Sequence, residues 1–309
     1  MKISIITASY NYAQYIEEAI NSVIGQSYQD WELIIVDDGS SDNSVDIIKS
    51  YCEKDGRIRL FQHKDAQNKG LKETLLLGIS HATGDWIAFL ESDDVFMPDN
   101  LRKKVEIIEE GNGKRGTGNG ERNDEVGQAL PERNKPIGLI FNKMSYLCES
   151  PESKNWIKSF DAKQCKLAKM NFPQNMFYQF YVRNMILSFS CVMVNAQTLK
   201  NADFDTPNDI MIDWWLWINL AYENDFYYLD EDLTTWRLHD KSYIQKNDYN
   251  TRYNLPRKAY FKRFQATMSP KILIFSIISE LLIIAYALWR KVTNRTMQFN
   301  PKNGSNKGF

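Results

Sequence analysis

Hydrophobic positions along the first ninety residues alternate between two spacings. Four apolar runs of strand length occupy residues 3–6, 33–36, 58–61 and 86–90. The segments between them carry apolar residues every three or four positions, which is typical of amphipathic helices. Continuous apolar runs indicate strands buried on both faces, and repeated strand–helix units connect such strands in parallel. The pattern therefore predicts an α/β fold with a mostly parallel, twisted, Rossmann-like sheet flanked by helices.

Acidic residues directly follow two of the predicted strands. The sequence VDDGSSD occupies residues 36–42, and ESDD occupies residues 91–94. In an open parallel sheet, ligands bind in the crevice beyond the carboxyl ends of the strands, so the two clusters predict a site for a polar ligand or a metal. Either cluster taken alone also suits turn and helix N-cap chemistry, but that alternative explains the two together less well.

The pattern changes after the helix predicted to follow Pro98. Residues 111–136 hold six of the chain's fifteen glycines with few apolar residues, a composition that predicts a mobile insertion. Strands are predicted again at 137–141 and 189–194, and the aromatic-rich segment between them gives mixed signals. We therefore divide the chain into a first half-domain at 1–110, the insertion at 111–136, a second half-domain at 137–245 and a C-terminal helical region at 246–309.

The cysteine content indicates a reducing compartment. Cys52, Cys148, Cys165 and Cys191 show neither C-x-x-C spacing nor the density of a disulfide framework, so free thiols are expected. The apolar start of the chain is too short for a signal peptide and continues into the first predicted strand. We therefore expect a cytoplasmic protein.

Positive charge is concentrated at the C-terminal end. The chain has a formal net charge of -1, but residues 252–309 contain eleven Lys and Arg against one acid, Glu280. Aromatic and basic residues alternate through 252–268, and an apolar run follows at 272–289. This combination predicts a membrane-directed helical tail. It leaves open whether the tail lies in the headgroup interface or spans the bilayer, because Glu280 interrupts a run that is barely long enough. Nucleic acid is disfavoured as a partner.

Five sequence blocks, in order, resemble those of the family 2 glycosyltransferases, which have the GT-A fold. The blocks are TASYN at 7–11, VDDGSSD at 36–42, NKGL at 68–71, ATGDWIAFL at 82–90 and ESDD at 91–94. The resemblance extends over about residues 1–240 and implies an inverting transferase that uses a nucleotide-sugar donor and a divalent cation, Mg²⁺ or Mn²⁺. It also implies a saccharide or lipid-linked acceptor in glycan or envelope polysaccharide assembly. Together with the tail, it suggests a position at the inner face of the cell membrane.

The resemblance assigns roles to individual residues. Tyr10 would stack on the nucleotide base, and Asp38 would bond the base or ribose. Asp93 is the expected metal ligand, with Glu91 and His239 as further metal candidates. The implied donor-binding residues are Ser9, Tyr10, Asn11, Asp37, Asp38, Gly70, Lys72, Glu91, Ser92 and Arg237, of which Arg237 would pair with the diphosphate.

The sequence DWWLW at 213–217 resembles the catalytic helix of the family, which makes Asp213 the expected general base. A sugar hydroxyl is a poor nucleophile, and a carboxylate that takes its proton makes attack on the anomeric carbon feasible. Burial among the tryptophans would raise the pKa of Asp213 and strengthen it as a base. Asp209 is the second candidate, and an acid that only stabilises the start of a helix is the structural alternative.

Several positions depart from the family pattern. Glu91 replaces the first aspartate of the acidic motif, Ile212 replaces a glutamate and Trp215 replaces a second aspartate. Leucines at 75–76 stand where family members often carry Arg-Asn, so one expected donor contact is absent, although Lys72 could compensate. These departures leave the base and the sugar of the donor open.

Two other functions stay open at this point. A non-catalytic sugar-nucleotide-binding or scaffold protein would keep Asp38 and Asp93 while tolerating the altered blocks. A nucleotidyltransferase would require a glycine-rich loop after the first strand, which this chain lacks. Donor hydrolysis in the presence of a metal separates a transferase from a binding protein.

Overall fold

The computed structural model describes residues 1–113, 135–149, 154–206, 212–239, 255–264, 270–279, 281, 282 and 285. Within the chain, Met1–Pro256 and Arg257–Phe309 form two compact units. The predicted insertion at 111–136 lies almost entirely outside the described residues, as do Asp209 and most of the chain after 282.

Strands and helices alternate through the first half of the chain, as the hydrophobic pattern predicts. The strands are β1 Ile3–Ser9, β2 Trp31–Asp37, β3 Ile58–Gln62, β4 Trp86–Phe89 and β5 Val95–Phe96, and the helices are α1 Ile16–Ile24, α2 Ser44–Cys52, α3 Leu71–His81 and α4 Asn100–Gly113. The later elements are β6 Ile137–Cys148, α5 Lys154–Leu167, α6 Phe177–Val182, β7 Val192–Asn195, α7 Ala196–Lys200, α8 Ile212–Glu223, β8 Asp225–Leu238 and α9 Leu255–Phe264.

The eight strands form one mixed sheet in the order β3-β2-β1-β4-β7-β6-β8-β5. Among the described strands, β7 runs antiparallel to β4 and β6, and β5 runs antiparallel to β8, whereas the other pairings are parallel. The prediction of a mostly parallel sheet is therefore wrong for its second half. A buried apolar run looks the same in either direction, and the mixed periodicity of residues 142–187 gives no sequence signal for the direction of β7.

Both faces of β1 and β2 are buried because helices cover them. Ile3 and Ile5 point into the core formed with α1 and α2, whereas Ile6 faces α3. Gly78 of α3 lies so close to the sheet that an added Cβ would come within 2.6 Å of Ile6 Cγ2. This close approach fixes the start of α3 near the carboxyl ends of β1 and β2.

The described residues of the C-terminal unit include a helical segment at 270–279 and 281–282 that exposes apolar side chains at helical spacing. We call this set the apolar stripe: Ile274, Ile277, Ile278, Leu281 and Leu282, which are between 45% and 66% exposed. In the part of the chain that is described, no helix combines the length and the hydrophobicity needed to cross a bilayer.

At the opposite end of the sheet from the strand carboxyl ends, a buried carboxylate joins three strands. Glu32 accepts hydrogen bonds from Ser4 Oγ at 2.6 Å and from the Thr83 amide at 2.8 Å. It also forms ion pairs with Arg59 Nη2 at 2.6 Å and Lys2 Nζ at 3.2 Å. Burial alone would raise the pKa of Glu32, but the hydrogen bonds outweigh burial and lower its pKa to about 2.

We predict that Glu32→Gln destabilises the first unit by about 2–3 kcal/mol at pH 7, because the stabilisation from a carboxylate with a depressed pKa is complete above its unfolded-state pKa. The wild type should lose this contribution as pH falls from about 5 towards 2, so the two proteins should converge in acid. Urea denaturation at pH 7 and pH 3 measures both effects.

Glu53→Gln is the matched control, since Glu53 is exposed at the end of α2. Equal destabilisation by the two substitutions, or a difference between Glu32→Gln and wild type that does not shrink in acid, would contradict this account of Glu32.

Candidate active site

A cavity of about 520 Å³ opens at the carboxyl ends of β1 and β4, beside the starts of α3 and α8. Acidic, hydroxyl and aromatic side chains line it together with apolar ones. The polar and aromatic lining residues are Ser9, Tyr10, Tyr12, Asp38, Asn68, Thr74, Phe89, Glu91, Ser92, Asp93, Ser188, Phe189, Asp213 and Trp236. The two acidic clusters predicted from sequence and the predicted general base therefore each contribute to one cavity.

Asp38 organises the loop that precedes α3. Its carboxylate accepts the amide of Lys69 at 2.7 Å and the amide of Gly70 at 3.0 Å, and its own amide donates to the Ser9 carbonyl at 2.8 Å. His63 Nε2 lies 3.4 Å from the same carboxylate. Asp38 thus lines the cavity, and both of its carboxylate oxygens accept hydrogen bonds from the loop before α3.

Asp37 and Asn11 accept hydrogen bonds from the neighbouring turn. Asp37 accepts the amides of Gly39 at 3.2 Å and Ser40 at 3.0 Å, and Asn11 Oδ1 accepts the amide of Ser41 at 2.8 Å. Neither Asp37 nor Asn11 is among the residues that line the cavity. Their contacts are typical of side chains that stabilise a turn, and the turn in this case lies next to the cavity.

In the region predicted to hold the nucleotide, one hydroxyl group is available for a hydrogen bond and one aromatic ring is exposed. Ser9 Oγ is buried without a hydrogen-bond partner among the described residues, and Tyr10 is 46% exposed. Leu75 also lines the cavity, at the position where the resemblance leads us to expect arginine. Lys72 does not line it, and its ammonium lies 3.7 Å from Glu73 instead.

Carboxyl groups crowd together after β4. Ser188 Oγ donates to Glu91 at 2.5 Å and lies 3.2 Å from Asp94 Oδ2, so one hydroxyl serves two acids. Burial and then the charge of Asp93 raise the pKa of Glu91 to about 7, and burial together with both neighbours raises the pKa of Asp94 well above its usual range. Ser92, between them in sequence, also lines the cavity.

Asp93 pairs with His239 at the end of β8. The His239 Nε2 to Asp93 Oδ2 distance is 3.0 Å, and the imidazole is almost fully buried. The rings of Tyr15 and Tyr12 pack around it with centroids 5.0 and 6.0 Å away. Burial and the nearby carboxylates, Asp93 above all, raise the pKa of the Tyr12 hydroxyl.

All three guanidinium nitrogens of Arg237 donate hydrogen bonds to other residues of the protein. Nε donates to the Asp93 carbonyl at 2.9 Å, Nη1 to Glu149 at 2.7 Å and Nη2 to Glu18. The Arg237 amide donates to Asp94 Oδ1 at 3.0 Å. Arg237 therefore anchors the acidic loop to β8, and its predicted contact with a diphosphate would require some of these bonds to be shared or exchanged.

Asp213 lies in the first turn of α8, where Trp214 and its neighbouring tryptophans are fully buried. Asn184 Nδ2 donates to Asp213 Oδ2 at 2.6 Å. Burial raises the pKa of Asp213, and the Trp214 amide, the Asn184 bond and the charge of Lys163 oppose that rise. The charge of Asp213 in turn contributes to the raised pKa of Glu91, so the two carboxyl groups face a common space.

The acidic motif offers a cation only part of a coordination shell. Among the described residues, no group of three or more His, Cys, Asp or Glu side chains is arranged to hold a metal. Asp93 and His239 are already adjacent, whereas Glu91 is bonded to Ser188. Two protein ligands fit a divalent cation whose other ligands are substrate oxygens and waters, as is common for Mg²⁺.

Several residues of this site were not predicted from the sequence. Ser188, Glu149, Asn184 and Lys163 all lie outside the recognised blocks, and only the position of Ser188 directly before a predicted strand could have drawn attention to it. Asp209, the second candidate for the base, lies outside the described residues.

Part of this chain is similar in sequence to known proteins. A teichuronic acid biosynthesis glycosyltransferase of Bacillus subtilis, TuaG, which is named as putative, is 40% identical over 108 residues. An uncharacterized glycosyltransferase of Nostoc sp. is 44% identical over 111 residues. These matches cover 35% of this chain in each case, and 42% and 33% of the two relatives, so the chain spans well under half of their length.

Solved structures share the fold. S. aureus TarS in complex with UDP-GlcNAc aligns with a TM-score of 0.55 and 19% identity, over 80% of this chain and 62% of that one. The mannosyltransferase PcManGT from Pyrobaculum calidifontis, in complex with GDP-Man and Mn²⁺, aligns with a TM-score of 0.54 and 13% identity, over 97% of this chain and 81% of that one. The fold is that of the GT-A glycosyltransferases.

The family itself follows from the sequence. The model of the family described as glycosyl transferase family 2 matches residues 4–165, which include β1 to β4, the acidic motif and β6. Because this match spans more than half of the chain, the protein belongs to glycosyl transferase family 2.

Proposed function

We propose that the protein transfers a sugar from a nucleotide-sugar donor to a hydroxyl group of a saccharide or lipid-linked acceptor, with inversion at the anomeric carbon. The observation that carries this proposal is the position of Asp213 in the same cavity as Glu91 and Asp93. A base on one side of a cavity and a charge-compensating motif on the other is the arrangement that a single displacement requires.

The reaction assigns each residue a separate task. Asp213, held by Asn184 at 2.6 Å, takes the proton of the acceptor hydroxyl while the acceptor oxygen forms a bond to the anomeric carbon. The bond between that carbon and the diphosphate oxygen breaks, and the nucleoside diphosphate leaves. Attack on the face opposite the leaving group inverts the anomeric centre. Ser9 and Tyr10 hold the nucleoside through the open hydroxyl and the exposed ring.

The proposal includes a divalent cation, Mg²⁺ or Mn²⁺, on Asp93 and His239, which would neutralise charge on the leaving diphosphate. Two observations support it. Asp93 and His239 lie 3.0 Å apart, and a cation would relieve the repulsion from Asp93 that, after burial, raises the pKa of Glu91. PcManGT, which shares the fold, was solved with Mn²⁺.

The biological setting is also a proposal. The name of TuaG mentions teichuronic acid biosynthesis, which supports a role in the assembly of an envelope polysaccharide. Cys52, Cys148, Cys165 and Cys191 are all free thiols, as the cytoplasmic assignment requires. TarS and PcManGT, as solved, bind UDP- and GDP-sugars respectively, so the donor panel should include both bases.

We expect Asp213→Asn to reduce sugar transfer about 100- to 10,000-fold while donor binding is retained, because the amide can still accept the Asn184 bond but cannot take a proton. Asp93→Ala should reduce both metal-dependent donor binding and turnover. Release of nucleoside diphosphate from UDP-, GDP- and dTDP-sugars, with Mn²⁺ or Mg²⁺ and added lipid extract, measures turnover. Calorimetry measures donor binding.

Asp46→Asn provides the control, since Asp46 is an exposed residue of α2 that does not line the cavity. If the wild type binds a donor but leaves it intact with every acceptor supplied, the protein is a sugar-nucleotide-binding or scaffold protein. Release of pyrophosphate instead would identify a nucleotidyltransferase.

We also propose that the apolar stripe holds the protein on the surface of an anionic membrane at the cytoplasmic face. Five aliphatic side chains exposed on one helical segment are costly to leave in water. The eleven basic residues of 252–309 supply the charge that anionic headgroups attract. Of the two modes left open by the sequence, the interfacial one accords with the exposed stripe.

Ile274→Asn combined with Ile278→Asn should weaken binding to phosphatidylglycerol vesicles about tenfold or more, because each change removes apolar area from the buried face. Flotation assays measure bound protein. Leu147→Asn, which alters an exposed leucine of β6, is the matched control. Equal binding by the double variant and wild type, or binding that is as strong on neutral vesicles, would reject this surface role.

A further inference from the structure

Tyr12 lines the cavity together with Glu91 and Asp93. The centroid of its ring lies 6.0 Å from that of His239, with the two ring planes at 69°, and His239 Nε2 lies 3.0 Å from Asp93 Oδ2. The Tyr12 hydroxyl has no hydrogen-bond partner in the part of the chain that the structure describes. A neutral donor is therefore available in the cavity next to the pair that is proposed to bind the cation.

Hydrogen bonds fix the main chain at Tyr12. The Tyr12 amide donates to Ser44 Oγ at 3.1 Å, and its carbonyl accepts the amides of Tyr15 at 2.9 Å and Ile16 at 3.0 Å. Ile16 is the fully buried first residue of α1, and Ser44 is the buried first residue of α2. Two helices thus hold the Tyr12 backbone in place, so a ligand that meets this side chain orders little of the protein when it binds.

The charge of the cavity lining explains why a neutral donor matters. The charged residues among the described lining are Asp38, Glu91, Asp93 and Asp213. A diphosphate carries negative charge on several oxygens, and a cation contacts only some of them. The other oxygens require hydrogen-bond donors, and a phenol supplies one without adding a charge. Burial, and then the charge of Asp93, raises the pKa of Tyr12, so the hydroxyl keeps its proton at neutral pH.

Two other hydroxyls of the lining already donate within the protein. Ser188 Oγ donates to Glu91 at 2.5 Å, and Thr74 Oγ1 donates to a main-chain carbonyl at 2.9 Å. Tyr12 follows Tyr10, the proposed partner of the nucleoside, by two positions, and its ring packs beside the proposed cation site. In a nucleotide-sugar the two phosphates connect the nucleoside to the sugar, so a hydroxyl in this position is placed to meet them.

We propose that the Tyr12 hydroxyl donates a hydrogen bond to the diphosphate of the donor, at the phosphate that carries the sugar. This inference rests on the proposed function, because it takes the cavity as the donor site and Asp93 with His239 as the cation site. It assigns a donor-binding residue that the sequence motifs did not indicate. Negative charge grows on the leaving diphosphate as its bond to the anomeric carbon breaks, so this hydrogen bond strengthens during the reaction.

The substitution Tyr12→Phe tests the proposal, because it removes only the hydroxyl and keeps the ring that packs against His239. Calorimetry in the presence of Mn²⁺ first identifies which of UDP, GDP and dTDP the wild type binds, and then compares that nucleotide with its monophosphate. We expect Tyr12→Phe to bind the diphosphate about tenfold more weakly, because a hydrogen bond to a charged oxygen is lost. Binding of the monophosphate and the thermal midpoint should be unchanged.

Tyr51→Phe is the matched control. Tyr51 is a partly buried residue of α2 that does not line the cavity, and its hydroxyl bonds Glu17 at 3.0 Å. This variant should bind both nucleotides as the wild type does. Unchanged diphosphate binding by Tyr12→Phe, equal weakening for the diphosphate and the monophosphate, or the same loss in Tyr51→Phe would overturn the proposal.

Turnover separates this inference from the transferase function. A wild type that binds a nucleoside diphosphate through Tyr12, but transfers no sugar with any acceptor supplied, would count against the transferase function and leave the role of Tyr12 in binding intact. Normal turnover with diphosphate binding that does not depend on Tyr12 would have the opposite meaning. A wild type that binds none of the three nucleoside diphosphates would overturn both the donor site and the role of Tyr12.

Discussion

Repulsion among carboxyl groups is the constraint on which the rest of the site depends. Glu91, Asp93 and Asp213 line one cavity, Asp94 is buried next to them, and like charges in a low-dielectric interior are costly. The protein offsets part of this cost with hydrogen bonds, most of all from the Ser188 hydroxyl. Burial first, and then the charges of neighbouring carboxylates, still raise the pKa values of Glu91 and Asp94, so the compensation is incomplete. A metal-loaded donor would supply the missing positive charge, so substrate binding and relief of repulsion would coincide.

Among the described residues, the charged side chains that line the cavity are all acidic: Asp38, Glu91, Asp93 and Asp213. Such a set of carboxylates suits a cation bound to a diphosphate. Arg237 does not offset the charge of these acids, since Glu149 and Glu18 neutralise it.

The hydrophobic pattern of the first ninety residues was enough to predict β1 to β4, α1 to α3 and the meeting of two acidic clusters, because parallel strands end at a common edge. Contacts between distant parts of the chain could not be predicted in this way. Glu149 and Arg237 are separated by 88 positions, and nothing in the local sequence around either residue indicates the other. Asn184 and Lys163 lie in the segment whose periodicity is mixed, so the side chains that set the charge of Asp213 became apparent only in three dimensions.

The glutamate that replaces aspartate at the start of the acidic motif has a structural consequence. The longer Glu91 side chain accepts a hydrogen bond from Ser188 Oγ at 2.5 Å, and the Glu91 amide donates to Ser190 Oγ at 2.9 Å. Glu91 thereby joins the end of β4 to the segment before β7, which runs antiparallel to it. An aspartate has one methylene fewer and would not span the same distance without a backbone shift. The departure from the family pattern therefore fits the proposed function, in which Asp93 would bind the cation while Glu91 connects the two halves of the sheet.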